Sequence, residues 1–159
     1  MLLGGKMFRK KMNRKGITLI ELIIVMVIIA IGAVLMAPNI GGWLPNYRLR
    51  SATRDIASTM RVAQMKAVSI NTTYRVDFNV GGNNYILQYQ TTAGWVTEGA
   101  TQNLPTGVIF ISAIFSGGVP QALFNTNSTS SAGTVILQNT KGSQRTISLT
   151  SATGRVTVD

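Results

Sequence analysis

Covalent chemistry in a protein needs a base, a nucleophile or a bound metal, and this sequence of 159 residues is short of all three. It has no histidine, no cysteine and five acids, Glu21, Asp55, Asp77, Glu98 and Asp159. Without histidine or cysteine there is no Ser-His or Cys-His pair, and no metal-ligand spacing appears. The acids are too scattered along the chain to suggest a pair of carboxylates sharing acid and base roles. A serine-lysine pair would have to draw on Lys66 or Lys141, and nothing in the sequence positions one. No glycine-rich stretch has the order of a phosphate-binding loop. The sequence therefore reads as a non-enzyme, with no cofactor and no metal expected. One acid still stands out, because Glu21 lies one turn inside an apolar run, where a charge placed in lipid costs about 2.5–3.5 kcal/mol on insertion scales.

That run, Ile17 to Ala37, is β-branched or otherwise apolar almost throughout, and at about 1.5 Å per residue it has the length of a bilayer-crossing helix. Lys6, Arg9, Lys10, Lys11, Arg14 and Lys15 precede it with no acid among them, so the positive-inside rule holds the N-terminus in the cytoplasm and sends the rest outward. Three simple readings compete. A plain signal anchor leaves Glu21 without a purpose. A secretory signal peptide needs a small-x-small cleavage site, to which Ala30 and Gly32 are a loose match, but the run continues through Leu35 and Met36 to Pro38, longer than most signal-peptide cores. A buried helix of a soluble domain would show a periodic polar face, and none is present.

The arrangement Lys15-Gly16 followed by Ile17-Thr18-Leu19-Ile20-Glu21 resembles the N-terminal signature of type IV pilins and pseudopilins. The resemblance implies that prepilin peptidase cuts after Gly16, that the new N-terminus at Ile17 is methylated, and that Glu21 is the fifth residue of the mature chain. In that family the glutamate neutralises the N-terminal amine of a neighbouring subunit as helices bundle into a filament. The physics agrees, since a carboxylate in lipid is relieved only by a cation brought to the same depth. Pro38 matches a proline common in the family's helix, whereas Ile17 stands where phenylalanine is usual.

Loss of the six leader bases would leave nine bases against five acids, so most of the formal charge of +10 is a topology signal. Met7 and Met12 would serve as starts as well as Met1, and the absence of cysteine excludes a disulfide scaffold. After the apolar run, Pro38-Asn39 and Gly41-Gly42-Trp43-Leu44-Pro45 are expected to break the helix. Trp43 and Tyr47 fall where an interfacial aromatic belt would sit. From Asn46, a candidate N-cap, Leu49, Ala52, Ile56, Met60, Ala63, Ala67 and Ile70 step by three or four and predict an amphipathic helix. Its other faces carry Arg48, Arg50, Arg54, Arg61 and Lys66 with Asp55 the single acid, a basic surface that is either simply solvated or turned to phosphate or anionic lipid.

Beyond Asn71 the pattern predicts short strands. They cover 74–80 and 85–90, a hairpin about the Gly81–Asn84 turn, then 95–97, 108–112, 122–125, 134–138, 144–149 and 155–158. The Ser/Thr/Asn run between Asn125 and Gly133 reads as a loop. Phe124-Asn125, Gly133-Thr134-Val135-Ile136-Leu137-Gln138-Asn139, Gly142, Arg145-Thr146-Ile147 and Thr153-Gly154-Arg155-Val156 resemble the C-terminal pattern of the GspH/FimT group of minor pseudopilins. Some FimT-like members bind DNA in association with a G-R-x-R element. The matching positions here read Gly154-Arg155-Val156-Thr157, without the second arginine. By strand phase Arg145 should share the buried face with Ile147 and Leu149, while Arg155 should point to solvent where a phosphate could reach it. No aromatic in the last 35 residues is available to stack a base.

The expected fold is thus α+β and pilin-like, a long N-terminal helix with a membrane-spanning first half, packed on an antiparallel sheet or small β-sandwich head. The expected divisions are a leader over 1–16, a transmembrane and filament-core helix over 17–37, a hinge and amphipathic helix over 38–70, and a periplasmic head over 71–159. The resemblance implies a single-pass inner-membrane precursor that joins the initiating or tip complex of a type II secretion pseudopilus or a type IV pilus. Its implied partners are prepilin peptidase, the other pseudopilins or pilins and the inner membrane, with DNA uptake as an alternative role. A plain membrane-anchored β-domain is the second alternative.

Overall fold

The computed structural model describes residues 16–36 and 40–159, so the leader bases and Pro38 lie outside the described residues. The chain divides into two units, Met1–Asn39 and Ile40–Asp159. In the first, α1 spans Leu19–Met36, and from Leu19 to Val34 every residue but Gly32 is exposed. Among the described residues no helix is long and apolar enough to cross a membrane. The 18 residues of α1 rise about 27 Å, slightly less than a hydrocarbon layer of about 30 Å. Ala37, the last residue of the expected span, is outside the described residues.

The second unit begins with α2, Ile40–Ser69, which keeps Pro45 inside it. The helix expected to start at Asn46 therefore starts earlier, and the break expected over Gly41–Pro45 does not form. Glycine and proline do cost helix propensity, but tertiary bonds hold this turn. Lys141 Nζ donates to the Gly42 carbonyl at 3.0 Å, Asn139 Nδ2 to Asn46 Oδ1 at 2.8 Å, and Arg48 to the Thr106 carbonyl at 2.9 Å. Asn46 is consequently not an N-cap. Downstream, Leu49, Ala52, Ile56, Met60, Ala63 and Ala67 form the buried stripe that their spacing predicts, joined by Thr53 and Ala57. Thr53 is accommodated because its hydroxyl donates back to the Leu49 carbonyl at 2.6 Å. Ile70, expected on that stripe, is exposed: α2 has already ended, with Asn71 in the left-handed region at φ 54° and the Thr72 amide bonded to the Ala67 carbonyl, a Schellman-type stop.

Eight strands follow, β1 Tyr74–Asn79, β2 Asn84–Thr91, β3 Gly94–Asn103, β4 Val108–Phe115, β5 Gln121–Phe124, β6 Gly133–Asn139, β7 Gln144–Leu149 and β8 Val156–Val158. They form two antiparallel sheets of four, in the orders β3-β2-β1-β5 and β4-β6-β7-β8. The β3 and β4 strands run well past their expected ends. Each carries its extra length through an irregularity in its ladder, at Tyr85/Leu87 of the partner β2 and at Phe110/Ser112, which a period-two reading does not anticipate.

The two sheets meet at Phe78 of β1, fully buried, whose ring stacks on Phe115 and meets Phe110 edge-on, both at 5.7 Å and both from β4. Asn83, at φ 51° in the β1–β2 turn, accepts the Phe110 amide on its side chain at 3.0 Å and so ties one sheet to the edge of the other. Beneath both lies α2, and the buried core, Leu49 to Val156, belongs entirely to this unit.

A single ion pair joins α2 to β3, from Lys66 Nζ to Glu98 Oε1. The Lys66 ammonium is the largest influence on the Glu98 carboxyl and, against the opposing push of burial, holds it below the ordinary carboxylate value of 4.5. A depressed carboxylate stabilises the fold above its unfolded value, and that contribution is lost as pH falls through the folded value. The parent should therefore lose stability more steeply than Glu98→Gln as pH falls below 4.5, the variant being the less stable above that pH and level with the parent at the acid end, as read by denaturant midpoints across the pH series.

Candidate functional site

Gly16 and Ile17 precede α1 in irregular backbone, and both are exposed, Ile17 to 77%. A Cβ added at Gly16 would meet nothing within 4 Å. The fold therefore gives no steric reason for glycine at 16. Glu21 follows in the first turn of α1. Its amide donates to the Thr18 hydroxyl at 3.3 Å and to the Thr18 carbonyl at 3.1 Å, which makes Thr18 the cap of the helix.

The spacing Thr18-x-x-Glu21 is itself a capping signal in the sequence. The cap gives Glu21 a local role, because a carboxylate is favoured at the positive end of the helix dipole. That effect is worth about 0.3–1 kcal/mol, well under the ~2.5–3.5 kcal/mol a charge costs in lipid. The dipole alone does not account for an acid in this run. A second group of the opposite sign is required wherever α1 is surrounded by hydrocarbon.

The two arginines singled out in the head lie far from each other. Arg145 is half-buried on the face of β7 that carries buried Ile147 and Leu149, and Arg155 is exposed just before β8, as strand phase predicts. Arg145 pairs with Leu137, whereas Val156 pairs with Leu149 at the other end of β7. Four residues of strand separate the two positions, about 13 Å, so they form no common phosphate clamp.

The turn before Arg155 is built for packing. Gly154 is buried at φ 61°, and a Cβ there would run into the Gln64 side chain of α2. Gln64 in turn donates to the Thr153 carbonyl at 2.9 Å. The Thr153-Gly154-Arg155 motif thus docks β8 on α2. Among the described residues no group of three His, Cys, Asp or Glu side chains could hold a metal ion.

Comparison with known proteins places these features. The prokaryotic N-terminal methylation motif matches residues 11–37, and the type II transport protein GspH family matches residues 52–154. No curated protein matches the chain. Among solved structures, the minor pseudopilin EpsH of the type 2 secretion system of Vibrio cholerae is 12% identical with a TM-score of 0.60, covering 70% of this chain and 96% of its own. The solution structure of GspH from Escherichia coli is 10% identical with a TM-score of 0.59, over 78% and 94%. The type IV minor pilin FimU of Pseudomonas aeruginosa is 16% identical with a TM-score of 0.56, over 72% and 90%. At these identities the likeness is one of fold.

The cap predicts a local effect. Replacing Thr18 by alanine should cost about 1 kcal/mol at the start of α1, seen in detergent micelles as roughly fivefold faster exchange of the Glu21 amide with no change in the head. Unchanged exchange would mean that Thr18 does not cap.

Proposed function

Since the chain belongs to the GspH family of type II transport proteins, with the fold of minor pseudopilins and minor pilins, we propose that it is a membrane-anchored precursor that is cut after Gly16 and assembles through α1. The head, 71–159, then stands on the periplasmic side and caps or initiates a secretion pseudopilus or a pilus. Other pseudopilins are its filament partners and prepilin peptidase its processing enzyme. The role is one of assembly, with no turnover of a substrate.

One observation carries this reading above the others. A helix that exposes every residue from Leu19 to Val34 except Gly32, most of them large and apolar, is satisfied only by lipid or by other helices, and its single acid is satisfied only by a cation at the same depth. Both needs are met by a bundle in which Glu21 of one subunit faces the free amine created at Ile17 of another. The glycine that the fold does not need lies at the bond that creates this amine. Pro38, matching a proline common in the family's helix, lies outside the described residues. A plain anchor would explain the apolar helix and leave both Gly16 and Glu21 without a purpose.

Intact-mass analysis of protein recovered from membranes with and without prepilin peptidase should show a chain starting at Ile17 only when the peptidase is present. A chain that keeps Lys15-Gly16 in both would make the protein a plain anchor. Glu21→Ala should insert normally yet fall at least about tenfold in incorporation into assembled filaments, since tenfold corresponds to about 1.4 kcal/mol and the uncompensated acid costs more than that. Undiminished recovery with assembled subunits would remove the role given to Glu21.

A further inference from the structure

The outward face of α2 is divided unevenly. Trp43, Tyr47, Arg50 and Arg54 follow one another at steps of four, three and four, all exposed, and therefore share one side of the helix. The Trp43 and Tyr47 rings stack at 4.9 Å, with 62% and 53% of their surfaces exposed. With Asn46, Ser51 and Asp55 these four residues line a groove of about 300 Å³.

The cations of α2 are used very differently. Arg48 donates to the Thr106 carbonyl, Arg61 to the Val156 carbonyl, and Lys66 pairs with Glu98. Among the described residues, which include all five acids of the chain, Arg50 and Arg54 make no side-chain hydrogen bond and Lys66–Glu98 is the only ion pair. Asp55, the one acid in the groove, is approached by the Ser51 hydroxyl at 3.5 Å and by neither arginine. Two guanidiniums that no described residue engages thus stand beside an exposed aromatic pair, a combination that suits an anionic surface with an apolar layer beneath it.

We propose that this face of α2 docks on the phosphate headgroups of an anionic bilayer, the rings entering the interfacial layer and Arg50 and Arg54 meeting lipid phosphates. Chain continuity favours lipid over other polyanions. Trp43 is seven residues after Met36, the end of the apolar α1, so the rings fall where an interfacial belt is expected. The inference adds a lipid class to the membrane-anchored reading, yet its test needs neither processing nor filament incorporation, so either can fail alone.

Because the core lies wholly within Ile40–Asp159, that unit can be tested free of α1, with circular dichroism confirming that it is folded. It should float with vesicles of phosphatidylcholine and phosphatidylglycerol in equal parts, and not with phosphatidylcholine alone. In a Trp95→Phe background the emission of Trp43 should shift to the blue and be quenched by brominated lipid. Arg50→Gln and Arg54→Gln, at exposed positions, should each lower partitioning roughly fivefold, and added salt should weaken binding of the parent more than that of the double variant. Equal flotation with neutral vesicles, no flotation with either, or a double variant that binds like the parent would overturn the proposal. Tighter retention on a DNA duplex than on the anionic vesicles would also overturn it and assign the face to nucleic acid.

Discussion

The head depends on the burial of one stripe of α2 beneath two sheets at once. Leu49, Ile56 and Met60 are almost wholly removed from water, and three small residues, Ala52, Ala63 and Ala67, let the strands approach the helix closely. Neither four-stranded sheet covers that stripe alone, and each needs the helix to fill its own inner face. Phe78 completes the arrangement by reaching from β1 to the two phenylalanines of β4. The interaction is non-directional and proportional to area. That is consistent with a shared fold persisting in relatives that are only 10–16% identical, because volume and pattern are retained more easily than particular residues.

The first unit obeys the opposite constraint. Where the head turns its apolar residues inward, α1 turns nearly all of them outward, and no element of the described structure is needed to explain its sequence. Gly16 is free of steric demand, and Glu21 has only the modest support of a helix N-terminus. Residues that the fold does not require are the ones whose reasons lie outside the single chain. In this protein they cluster at the start of α1, within the stretch that matches the prokaryotic N-terminal methylation motif. The contrast with Gly154 is instructive, since that glycine sits in an equally motif-like stretch yet is accounted for by its positive φ and by Gln64 beneath it.

The beginning of α2 lies between these two regimes. Gly41, Gly42 and Pro45 argue locally for an interrupted chain, yet the helix forms there, tied to the strand region by bonds that Lys141 and Asn139 donate to it and one that Arg48 of α2 donates to the Thr106 carbonyl. The helix is thereby extended by about two turns, and it is this extension that sets Trp43 and Tyr47 in one row with Arg50 and Arg54. A surface with a distinct chemical character arises from residues that the sequence assigns to a loop.

What the sequence determined by itself is what depends on local period and composition. The apolar run, the stripe of α2 and the existence of all eight strands were legible because each is written in residues at fixed spacing. So were the half-buried Arg145 and the exposed Arg155, since a strand alternates strictly. Tertiary structure alone decided where α2 begins, how far β3 and β4 run past their bulges, which cations are engaged, and that Arg145 and Arg155 stand at opposite ends of β7. The division has one physical reason. Periodicity is a property of neighbours in the chain, whereas the bonds from Lys141 to Gly42 and from Asn139 to Asn46 join residues more than ninety positions apart, beyond the reach of any local pattern.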